Sequence, residues 1–111
     1  MNYTVNSPDF WNSEKWTSLQ GYINITYKEL KDKLGLPAKE FDDYKSDAEW
    51  HITFEDGTRA TIYNYKDGIN YCGRAEGTPK TKITEWHVGG EDKNALELVN
   101  RLFGRENFTR V

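Results

Sequence analysis

The chain has 111 residues, room for one domain and not for two. Its formal charge of −3 argues against nonspecific nucleic-acid binding, which needs a basic footprint, and falls well short of the acidic excess expected of a DNA mimic. One cysteine, Cys72, rules out an internal disulfide. With no apolar run of signal-peptide or membrane-span length, the chain reads as cytoplasmic and not membrane-bound.

Residues 1–20 are polar, with Phe10, Trp11, Trp16 and Leu19 as apolar points. They read as an N-terminal arm with a short helical turn at Ser7-Pro8-Asp9, where Ser caps and Pro suits the first helical position. The aromatics of the arm pack on the domain or reach a partner. Tyr22–Ile25 alternates as a short strand. The segment Ile25-Thr26-Tyr27-Lys28-Glu29-Leu30 then carries a capping box (Thr26, Glu29) and a hydrophobic staple (Ile25, Leu30). It predicts a helix over 26–34 that stops at Gly35. An acidic loop follows. Over 48–54, Ala48, Trp50, Ile52 and Phe54 point one way, and Glu49, His51 and Thr53 the other. Asp56-Gly57 is a hairpin signal, and Thr58–Tyr65 is the return strand. Ile69–Cys72 suggests a further short strand. The last strand, 81–88, carries Ile83 and Trp86 on opposite parities, which suggests a bulge. Gly89-Gly90 releases the chain into a second helix, with Glu91 and Asp92 at its positive end. Ala95, Leu96, Val99, Leu102 and Phe103 form its apolar stripe. The predicted class is α+β: a two-layer domain over 21–104 with an antiparallel sheet of about four strands, two helices in β-α-β-β-β-α order, and a tail at 105–111.

Both histidines sit in a repeated tripeptide, Glu49-Trp50-His51 and Glu85-Trp86-His87. With each Trp inward, two His and two Glu share the outward face and resemble a metal-ligand set. In a meander, however, strand 58–65 lies between the copies and holds them about 10 Å apart, too far for one ion. No metal, no cofactor and no catalytic residue is therefore expected. Neither a phosphate-binding loop nor a paired-cysteine motif is present, and Cys72 has no supporting nucleophile signature. The informative feature is a surface. Arg59, Tyr63 and Tyr65 share the hairpin side opposite Ala60 and Ile62, with Lys66 and Tyr71 near in sequence. Such aromatic and Arg-rich faces mark protein interfaces, unless the second helix covers this side. The acidic span 40–56, including Asp42 and Asp43, is a second candidate for contact with a basic partner.

The residues ITYKEL, DAEWHITFEDGTRATIYNYKDG, Tyr71, GTP and ITEWHVGG resemble a family of small accessory proteins encoded by bacteriophages, over roughly residues 22–103. The resemblance implies a small cytosolic protein of the host cell that binds and inhibits a host enzyme or an antiviral-defence protein, such as a CRISPR or signalling-defence component. It supplies no catalytic residue, and the expected function is non-enzymatic. The alternatives are a binder that sequesters a small molecule or nucleotide, with Tyr63, Tyr65, Trp86 and His87 around a pocket, and a metal-dependent enzyme.

Overall fold

A computed structural model describes residues 1–12, 15–39 and 44–105, and the backbone of 109–110. The acidic candidates Asp42 and Asp43 lie outside the described residues. Six strands form one antiparallel sheet: β1 (Tyr3–Val5), β2 (Ser18–Asn24), β3 (Glu49–Phe54), β4 (Arg59–Tyr63), β5 (Glu85–Gly90) and β6 (Thr109–Arg110). Their order across the sheet is β1-β3-β4-β5-β2-β6. The helices are α1 (Tyr27–Leu34), the single turn α2 (Ile69–Cys72) and α3 (Lys93–Leu102). The expected α+β class holds. The sheet gains strands because both ends of the chain add short edge strands.

Helix α1 starts where the sequence places it. Thr26 accepts from the Glu29 amide and Glu29 accepts from the Thr26 amide, and Gly35 ends the helix at φ 84°. The β3–β4 hairpin turns at Gly57, whose φ of 87° suits glycine because no Cβ opposes it. The core lies on the face bearing Trp50, Ile52, Ile62, Trp86 and Val88, closed by Leu30, Leu34, Ala95, Leu96 and Val99. Trp50 and Trp86 meet edge to face with centroids 5.7 Å apart, a favoured aromatic geometry. The Trp50 indole N–H reaches the Gly35 carbonyl at 2.9 Å.

Several expectations need correction. The boundary at residue 20 falls inside β2, and residues 3–5 pair with β3, so the arm is part of the sheet. Ile69–Cys72 is helical, not a strand. The carboxylate of Asp47 accepts from the Ile69 amide at 3.1 Å, which anchors its first turn. Gly89 and Gly90 continue β5 and pair with Thr61 and Ala60. Side chains there would not fit: a Cβ on Gly90 would collide with Ala95 of α3, and one on Gly89 with the Thr61 hydroxyl. The parity conflict of Ile83 and Trp86 vanishes because β5 begins at Glu85. The register shift lies in β2 instead, between Leu19 and Gly21.

Candidate functional site

Because the helices close the Trp50 face, the opposite face of the sheet carries the site. Strand alternation sends Glu49, Tyr63, His87 and Tyr22 to that side. The registers Glu49↔Tyr63, Tyr63↔His87 and His87↔Tyr22 place them on one rung across four strands. Tyr63 stacks on His87 at 5.3 Å. Tyr22 meets the imidazole edge-on at 4.9 Å, and Tyr65 approaches it to 6.0 Å. Gly89 borders the cluster on the same face, where a Cβ would stand in ordinary contact with the Tyr63 ring, at 3.5 Å. The band continues through Lys66, whose ammonium sits over the rings of Tyr65 at 5.3 Å and Tyr71 at 5.4 Å. Tyr71 in turn contacts Tyr44 at 5.3 Å. Tyr65 and Tyr71 remain 41% and 40% exposed.

The structure brings Tyr63 and Tyr65 together, as the strand period predicts, and adds Lys66 and Tyr71, which the sequence placed only nearby along the chain. It removes Arg59 from the accessible set. Arg59 is buried because the arm folds over it. Its guanidinium donates to Glu91 at 2.7 Å, to the Phe10 carbonyl at 2.8 Å and to the Lys15 carbonyl at 2.7 Å. Trp86 also leaves the expected pocket, since it is fully buried on the helix side. Tyr22 joins the site unforeseen, and Glu85, placed beside His87 by the strand period as a metal-ligand candidate, now borders the rings instead. Tyr22 comes from a strand whose neighbour could not be read from the sequence, and only the known order β5-β2 would have shown it.

The two Glu-Trp-His copies have different surroundings. His51 bonds Glu49 across 2.5 Å and is buried beneath the arm, stacked on Phe10 at 4.9 Å and edge-on to Trp11 at 5.1 Å. It is not the solvated histidine that alternation alone suggests. His87 is half-buried, and burial pushes its pKa below the ordinary value, opposed by the nearby carboxylates of Asp67 and Glu85. Burial and the charge of Glu49 raise that of Tyr63. Near neutral pH both shifts favour the uncharged forms, a neutral His87 imidazole beside a neutral Tyr63 phenol. Strand β4 separates the copies, and among the described residues no group of three or more His, Cys, Asp or Glu side chains could hold a metal ion.

The acidic span is not one surface where it is described. Asp47 is directed inward to α2 and Asn64, Glu49 is paired with His51, and Glu55 and Asp56 are exposed at the hairpin turn. A groove of about 450 Å³ runs beside the arm, between Asn6, Trp11, Leu36 and His51. Among the described residues no helix is long and apolar enough to cross a membrane. Comparison with family models, curated proteins and solved structures returned no match.

Proposed function

We propose that this chain is a non-enzymatic binding protein that docks a partner protein on its tyrosine face. Following the phage resemblance, we take the partner to be a host or antiviral-defence protein in the cytoplasm, inhibited by direct contact. One observation carries the docking surface: the rung Glu49–Tyr63–His87–Tyr22, extended by Tyr65, Lys66 and Tyr71, lies on the side of the sheet that the helices leave open. Tyrosines fit such a role because they offer flat area, one polar tip and few rotors to freeze. Affinity in such interfaces concentrates in a few large residues.

The test is to recover the partner from infected cells with tagged protein, then to measure Kd and Tm on the same samples of variants. Tyr65→Ala should weaken binding about tenfold, or about 1.4 kcal/mol, with Tm nearly unchanged because the ring is exposed. Tyr63→Ala should weaken it at least as much, with some loss of Tm because its ring packs on His87. Unchanged Kd in both variants would place the interface elsewhere and end this reading.

A further inference from the structure

We propose that the tyrosine face recognises an arginine side chain projecting from a basic segment of the partner, its guanidinium lying on the exposed ring of Tyr65, beside Tyr63 and His87, and paired with Glu85. The inference rests on the docking function above and names the chemistry of what docks.

Three observations carry it. The first is charge. The rings are bordered by carboxylates: Glu49 ends their rung, Glu85 stands two residues before His87 on the same face, and Asp67 lies close enough to act on His87 electrostatically. Glu85 is exposed and has no ion-pair partner among the described residues. The second is ring chemistry. Aromatic faces carry negative potential and attract cations, arginine most often. A guanidinium can stack on a ring while its N–H fork meets a carboxylate, which an ammonium cannot do as well. The third is that a cation already occupies the end of the band: Lys66 lies over both Tyr65 and Tyr71. The same carboxylates disfavour phosphate, so a nucleic acid fits this face poorly despite its stacking rings.

The experiment uses the full chain and follows the ring resonances of Tyr22, Tyr63, Tyr65 and His87 by NMR. Three probes are titrated: an acetylated, amidated peptide of alternating glycine and arginine, the same peptide with citrulline for arginine, and oligothymidylate. Citrulline keeps the planar shape and removes the charge. The arginine peptide should shift these rings saturably and bind about tenfold tighter than the citrulline peptide. Tyr65→Ala and Glu85→Gln should each weaken it severalfold while Tm stays unchanged. Equal binding of the citrulline peptide, tighter binding of oligothymidylate, or arginine binding indifferent to both substitutions would overturn the proposal. In the last case the attraction is only that of the net negative charge. The broader reading fails separately, on a partner Kd that ignores Tyr65→Ala and Tyr63→Ala, whatever the peptides do.

Discussion

Two histidines in the same tripeptide have opposite roles, and neighbours outside the tripeptide decide which. His51 lies under Phe10 and Trp11 and bonds Glu49; its strand parity was legible, but the arm that covers it was not. For His87 the parity was legible and the ring cluster was not, because Tyr22 arrives from β2. The groups facing His87 are Tyr22 from β2, Tyr63 and Tyr65 from the β4 segment, Asp67 from the loop after β4 and Glu85 from β5. Burial prevails over the two carboxylates and lowers its pKa. The folded state then binds the proton less readily than the unfolded chain, so stability is undiminished above the ordinary value of 6.5. It declines as pH falls from there toward the lowered pKa. The carboxylates held low, Glu29 and Asp56, act in a more acidic range, below their ordinary 4.5 and 3.8. Urea midpoints measured against pH should therefore show a slope just below 6.5 that His87→Phe flattens, since phenylalanine keeps a ring and cannot titrate. An unaltered slope in that variant would assign the protons to another group.

Elements with local signals were legible, and those held by distant groups were not. Helix α1 is specified within its own first turn, so Thr26→Ala should cost about 0.5–2 kcal/mol in a denaturant midpoint. A cost near zero would mean that packing of Leu30 and Leu34 alone sets the helix start. The hairpin at Gly57 is equally local. By contrast, α2 depends on Asp47, which accepts from both the Ile69 and Asn70 amides. Asp47 also accepts from Asn64 Nδ2, while Asn64 Oδ1 accepts from the Asp47 and Ala48 amides. Four residues with an apolar Ile and a Tyr look like a strand until that carboxylate is in place. The glycine pair 89–90 misleads for a related reason. Glycine marks turns and also marks close approach, and only the packing of Ala95 and Thr61 against β5 tells the two apart.

At the scale of the molecule, Arg59 ties three parts together: the arm through the Phe10 and Lys15 carbonyls, the sheet through its own strand, and the approach to α3 through Glu91. An arginine on a strand with aromatic neighbours reads as a contact residue. It becomes an internal tie only when the arm closes over it. Arg59→Ala should cost about 2–3 kcal/mol, the scale of hydrogen bonds to a charged group, and should speed protease cleavage within residues 7–17. A variant with wild-type Tm and cleavage would show that Phe10 alone secures the arm.

The strand order also bears on how the chain assembles as it is made. Only β3 and β4 are joined by a tight turn; β1 waits for β3, and β2 waits for β5. While residues 1–48 emerge, β1 and β2 lack their native neighbours β3 and β5, and Ile23 lacks its partner Trp86 until β5 is made. Closing such distant pairs exacts loop entropy before any packing compensates for it. The β3–β4 hairpin is the natural seed. The sheet is complete only when β2 lies between β5 and the two-residue strand β6. Until then Trp50 and Trp86 are without their full cover, and such exposed apolar surface makes an incomplete chain prone to aggregate.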